Sequence, residues 1–163
     1  VVKYNQSHRY HMLELDTPAP DFTLTDDSGA ERRLSAEAGT YVVLYFYPQD
    51  DTPGCTAEAC AIRDIYDEFG KRGVTVFGVS RDDVASHAAF KAKYELPFSL
   101  LSDEDGGVSL MYDAISPEEP DAPAARITYL IDPEGTIARV YPDVTPTDHA
   151  HELLKDIDEL QSG

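Results

Sequence analysis

Seven consecutive residues, Tyr41-Val-Val-Leu-Tyr-Phe-Tyr47, constrain the fold of this 163-residue chain more than any other feature. A strand with one face in water alternates apolar and polar residues. An unbroken β-branched and aromatic run belongs to a strand covered on both faces. Val74-Thr-Val-Phe-Gly-Val-Ser80 reads the same way. Around these two strands the pattern predicts a short hairpin in "DFTLTDDSGAERRL" (21–34) and another in "ITYLIDPEGTIARVY" (127–141), with its tip at Asp132-Pro-Glu-Gly135. Helices are expected near 56–70, 83–94, 105–113 and 147–161. The last of these has Ala150, Leu153, Leu154, Ile157 and Leu160 on one face.

The order of strands and helices predicts an α/β fold, a central mixed sheet with helices on both faces and an N-terminal β-hairpin. Its length fits one domain, taken as residues 13–163. The opening "VVKYNQSHRYHM" (1–12) has no periodicity and reads as a tag remnant or a disordered tail, with Met12 as the natural start. The longest expected loop is the Pro- and acid-rich "SPEEPDAPAA" (116–125).

Charge narrows the partners. With 31 Asp and Glu against 13 Lys and Arg, the formal net charge is -18. Such a surface repels phosphate backbones and anionic lipid, which argues against a nucleic-acid or membrane partner. The acids are scattered and form no block, so they read as a solvated coat of the kind found in proteins adapted to high salt. Asp50/Asp51 and Asp103/Asp105 show no calcium-loop spacing, and we expect no metal there. No stretch has the length of a membrane span or the order of a signal peptide, so a cytoplasmic location is expected.

Both cysteines of the chain, Cys55 and Cys60, lie in "YPQDDTPGCTAEACAIRD" (47–64). Thr52-Pro53 is a helix start, with Thr as N-cap and Pro at the first helical position, where its missing N–H costs nothing. Ile62, Ile65, Tyr66 and Phe69 recur at helical spacing behind it. Cys55 therefore falls in the first turn, where free N–H groups and the positive end of the helix dipole converge. Thiols at helix N-termini and beside cations are favoured as thiolates, so Cys55 is placed to be a nucleophile. Thr52 lies three residues earlier, the spacing at which its hydroxyl can reach the sulfur or a substrate held against it. Gly54 allows close approach to the backbone.

Cys60 alters the weighing against a buried structural thiol. Five helical residues separate the Cα atoms by roughly 8.7 Å. Disulfides rarely span more than ~7 Å, so these two bond only if the first turns unwind. The pair lacks the partners of a zinc site, and the histidines at 8, 11, 87, 149 and 151 show no metal spacing and are expected at the surface. Glu58 reads as a first-turn dipole partner, outside the site. Arg63-Asp64 reads as a structural ion pair or a solvated one.

The segment "FYPQDDTPGCTAEACAIRD" resembles the active-site segment of peroxiredoxins, Pro-x-x-x-Thr-x-x-Cys, carried here by Pro48, Thr52 and Cys55. The second cysteine five residues on resembles the peroxiredoxin Q or bacterioferritin comigratory protein subfamily. "TPAPDFTLTDDSG", "FSLLSDEDG" and "ARITYLIDPEGTI" extend the likeness over residues 13–161. The resemblance implies a thioredoxin-like fold and a thiol peroxidase that needs no metal or organic cofactor. By analogy Cys55 attacks hydrogen peroxide or an organic hydroperoxide and becomes a sulfenic acid. Cys60 then resolves it as an intramolecular disulfide, and a thioredoxin-type donor recycles the enzyme. The same analogy gives Thr52 and Arg126 the tasks of activating the thiolate and polarising the peroxide, with Pro48 shielding the site and Gly54 beside it. Arg63, Arg81 and Arg139 are rival cations for Arg126. A monomer or weak dimer is expected. The alternatives are a thiol-disulfide oxidoreductase of the same fold, whose motif normally has two residues between its cysteines, and a thiol protein without catalysis.

Overall fold

The strand predicted to be covered on both faces, β3 (Tyr41–Phe46), stands inside a seven-stranded sheet. The computed structural model describes residues 12–163. The other strands are β1 (Thr23–Asp26), β2 (Glu31–Arg33), β4 (Val74–Ser80), β5 (Ser99–Ser102), β6 (Ile127–Ile131) and β7 (Ile137–Tyr141), in the spatial order β2-β1-β5-β4-β3-β6-β7. β3 pairs in parallel with β4 and antiparallel with β6, so the sheet is mixed as expected. β1/β2 is the N-terminal hairpin and β6/β7 the second, with Gly29 and Gly135 at positive φ in their turns.

Alternation along β3 explains the unbroken apolar run. Val43, Tyr45 and Tyr47 enter one core with Ala59, Ile62, Phe69, Phe90, Leu153 and Ile157 from the helices. Val42, Leu44 and Phe46 enter a second core with Phe22, Leu34, Val108, Tyr112 and Ile127. Successive side chains point to opposite faces, so a strand with a core on each side can have no polar position.

The helices are α1 (Pro53–Asp64), α2 (Tyr66–Lys71), α3 (Val84–Tyr94), α4 (Gly107–Met111) and α5 (His149–Ser162). The single helix expected over 56–70 is in fact two. At Ile65 (φ −121°, ψ 23°) the regular ladder gives way to tighter bonds, Ile65 N–H to the Ile62 carbonyl and Glu68 N–H to the Ile65 carbonyl. Periodicity missed the break because both pieces keep their apolar residues on the same core, Ile62 before it and Phe69 after it. α4 is shorter than its expected range because Asp103 and Asp105 lie outside it and accept backbone N–H groups of its first turn.

Two histidines expected at the surface are buried, His87 and His149, each with both ring nitrogens hydrogen-bonded; His151 is exposed. His87 lies three residues before Phe90 on α3, and that shared face was the available signal. The expected tail, 1–12, lies outside the described residues except for Met12, which is buried in the second core.

Gly78 on β4 is a packing requirement. A Cβ there would stand 2.8 Å from Tyr45 Cζ and 3.0 Å from Leu100 Cδ2. Gly78→Ala is expected to cost about 1–3 kcal/mol, read as a lower urea midpoint at unchanged slope.

Candidate active site

α1 begins where the sequence places it. Thr52 is the N-cap in extended conformation (φ −97°, ψ 157°), and Pro53 is the first helical residue. The first intrahelical bond runs from Thr56 N–H to the Thr52 carbonyl, so the backbone N–H groups before it are free to serve the site. Cys55 sits in this turn, 2% exposed. Cys60 is half-buried on the same helix, and both cysteines are free thiols. Burial pushes the Cys60 thiol up, offset in part by the Arg63 guanidinium.

Arg126 reaches Cys55 from the sheet. It precedes β6, whose first residue Ile127 pairs with Phe46 at the end of β3, the point at which the chain leaves the sheet for α1. Its Nη2 donates to Cys55 Sγ at 3.3 Å and its Nη1 to Glu58 Oε1 at 2.8 Å. Burial opposes the charge on Arg126, but the Cys55 sulfur and then Glu58 outweigh it and hold the guanidinium proton more tightly than usual. The rival cations are engaged elsewhere. Arg63 pairs with Asp64 and the Tyr94 carbonyl, Arg81 grips the carbonyls of Pro120 and Ala122, and Arg139 bonds the Ala138 carbonyl.

The other expected residues are placed differently. The Thr52 hydroxyl donates to the Gln49 carbonyl at 2.8 Å, bracing the loop, rather than to the sulfur. Gly54 makes room for Arg126: a Cβ there would lie 2.9 Å from Nη2. Pro48 is half-buried at the start of the loop between β3 and α1.

Two residues escaped sequence reasoning. Glu58 is not a first-turn dipole partner: it lies past the first turn of α1, which starts at Pro53, and is fully buried. Its Oε2 and the Tyr45 hydroxyl are buried without a hydrogen-bond partner among the described residues. Burial, outweighing the attraction of Arg126, raises the Glu58 carboxyl to about 7. Burial, followed by the charges of Glu58 and Cys55, raises the Tyr45 phenol well above its ordinary value. The available signal for Glu58 was its position three residues after Cys55, which turns both side chains to one face.

Comparisons with known proteins show the family. The AhpC/TSA family model matches residues 15–140. The chain belongs to that family. It is 44% identical over 146 residues to a putative peroxiredoxin bcp of Coxiella burnetii, covering 87% of this chain and 97% of that protein. It is 46% identical over 143 residues to a putative chloroplastic peroxiredoxin Q of Oryza sativa subsp. indica, covering 87% of this chain and 65% of that protein, so the chain spans just under two thirds of the rice protein's length. Among solved structures it resembles the bacterioferritin comigratory protein of Xanthomonas campestris, whose structures were reported with its alkyl peroxide reduction activity (TM-score 0.82, 33% identity, 90% of this chain and 98% of that one). Its mixed sheet flanked by helices is the thioredoxin-like fold of these AhpC/TSA proteins.

The sign of the Glu58 effect on stability follows from its shift. A carboxyl whose folded value, about 7, exceeds the ordinary 4.5 holds a proton that the unfolded chain has already released. Its stabilising contribution is full below 4.5 and is lost as pH rises through 7. The size is roughly 3 kcal/mol. Glu58→Gln keeps an acceptor for Arg126 and removes the titration. Denaturation at pH 5 and pH 8 is expected to show the variant gaining on the wild type by roughly 2–3 kcal/mol between the two.

Proposed function

We propose that this AhpC/TSA thiol peroxidase reduces hydrogen peroxide and organic hydroperoxides through Cys55, with Cys60 resolving the oxidised sulfur. The observation that carries the assignment is the buried Cys55 thiol in the first turn of α1, 3.3 Å from Arg126 Nη2, with Cys60 free on the same helix. The free N–H groups of the first turn and the guanidinium both favour negative charge on that sulfur.

In the first step the Cys55 thiolate attacks one peroxide oxygen. An S–O bond forms as O–O breaks, and the leaving hydroxide or alkoxide takes up a proton. Arg126 faces the place where charge shifts from sulfur to oxygen, which is where a fixed donor lowers a barrier. Gly54 keeps that guanidinium in reach, Thr52 closes the turn through Gln49, and Pro48 screens the entrance. In the second step the first turns unwind, Cys60 attacks the sulfenic sulfur, and water leaves as the disulfide forms. A thioredoxin-type dithiol then restores both thiols. Residues 13–163 act as one domain. No helix among the described residues is long and apolar enough to cross a membrane, and the charge of -18 keeps copies apart, which supports a cytoplasmic monomer or weak dimer.

Stopped-flow peroxide consumption tests the assignment. Cys55→Ser is expected to fall to the buffer background, and Arg126→Met to slow Cys55 oxidation by about 10²–10³-fold. Cys60→Ser is expected to complete one oxidation and accumulate a sulfenic acid that dimedone traps. A Cys55→Ser enzyme at full rate, or a Cys60→Ser enzyme turning over on thioredoxin like the wild type, overturns the respective role.

A further inference from the structure

A buried polar cluster stands behind the loop that leads into α1. His87, on the first turn of α3, has a fully buried side chain, and its partner Asp50 is 4% exposed. His87 Nε2 lies 3.0 Å from the Leu101 carbonyl, which can only accept, so that nitrogen carries a hydrogen. Nδ1 lies 2.8 Å from Asp50 Oδ2. That contact needs one further proton, shared between the imidazole and the carboxyl. Asp50 also accepts from the Tyr47 hydroxyl at 2.7 Å and the Ser86 hydroxyl at 2.8 Å. Its own backbone N–H donates to Asp82 Oδ2, which the Ser80 hydroxyl holds in turn. The titratable groups facing His87 are thus Tyr47 from the end of β3, Asp50 from the loop and Asp82 from the turn after β4; β5 offers only the Leu101 carbonyl.

These bonds converge on one residue of the loop. Next to it, Asp51 is held in the left-handed region (φ 58°), which a non-glycine residue keeps only when its surroundings impose it. Its carboxylate accepts from Lys93 Nζ and the Tyr94 hydroxyl at the other end of α3. Asp50 and Asp51 therefore fasten residues 48–52 to both ends of one helix. Thr52, whose hydroxyl closes this loop on Gln49, is the N-cap of the helix that carries Cys55.

We propose that His87, acting through Asp50, is a positioning residue for the peroxide-reducing step. It holds the Pro48–Thr52 loop, and with it the first turn of α1, in the arrangement that presents Cys55 to peroxide. The same hold opposes the later closure of the disulfide, because that step requires the turn to come apart. This inference rests on Cys55 being the residue that peroxide oxidises.

Asp50→Ala removes the anchor. Asp50→Asn retains it in neutral form, because the amide can donate to the bare Nδ1 of a neutral His87 that keeps its Nε2 bond. Stopped-flow traces separate the two steps, Cys55 oxidation with limiting peroxide and the following disulfide closure. We expect Asp50→Ala and His87→Ala to slow oxidation at least tenfold while closure is no slower than in the wild type, and Asp50→Asn to keep oxidation within about threefold of wild type. Oxidation at wild-type rate in Asp50→Ala overturns the proposal, as does an equal loss in both steps, which general loosening would give. If His87→Ala does not fold, the Asp50 pair of variants decides alone. Cys55→Ser is run beside them: consumption that survives in it removes the Cys55 assignment, whereas a dead Cys55→Ser with an unimpaired Asp50→Ala removes only the role of His87.

Discussion

Arg126 divides one positive charge between a thiol and a carboxyl, and the arrangement of the site follows from that division. A guanidinium buried with a single anion would be committed to it. Here Nη1 faces Glu58 and Nη2 faces Cys55. Because burial raises the Glu58 carboxyl to about 7, near neutrality a substantial fraction of Glu58 is uncharged. In that form it still accepts from Nη1, which fixes the guanidinium plane, but competes little for its charge. The field of Arg126 then falls mainly on the sulfur. A permanently ionised partner would hold the same geometry and cancel part of the field.

Bringing these three groups together takes the whole sheet. Cys55 and Glu58 share a face of α1, three residues apart. Arg126 lies 71 positions later in the chain than Cys55, just before β6, and reaches them because β6 pairs with β3, whose end feeds α1. The approach is closed sterically as well, since a side chain at Gly54 would displace the guanidinium. Glycine at that position serves the arginine in this chain, and the close approach that sequence suggested is that of a protein group.

Much of this is legible in the amino-acid sequence. The burial of β3 on both faces, the helix start at Thr52-Pro53 and the two hairpins are local signals, each set by a few neighbouring residues. Arg126 was recoverable only through family resemblance, since three other arginines had equal claims on composition, and tertiary contacts separate them. Glu58 and His87 were misjudged for one shared reason. Glutamate and histidine are usually solvated, and whether one is buried depends on which residues distant in sequence supply its partners, here Arg126 in one case and Asp50 with the Leu101 carbonyl in the other. The break at Ile65 was hidden because an interruption that leaves the apolar face in place leaves no trace in periodicity.

The wound form of α1 contains a force against itself. Any unwinding that carries residue 58 into water returns its carboxyl from about 7 to the ordinary range near 4.5 and releases a proton at neutral pH. That relief is worth up to roughly 3 kcal/mol once the solution is above 7. Opposing it are the burial of Cys55, the Arg126 contact and the first intrahelical bond at Thr56. In the proposed reaction, oxidation turns the Cys55 sulfur into a neutral sulfenic acid and weakens its contact with the guanidinium, while the burial penalty of Glu58 stays. The balance therefore moves toward unwinding at the stage when Cys60 has to reach Cys55. Before oxidation the Arg126 contact with Cys55 helps to hold the turn closed, so on the proposed reading the chemistry at the sulfur itself sets the order of the two steps.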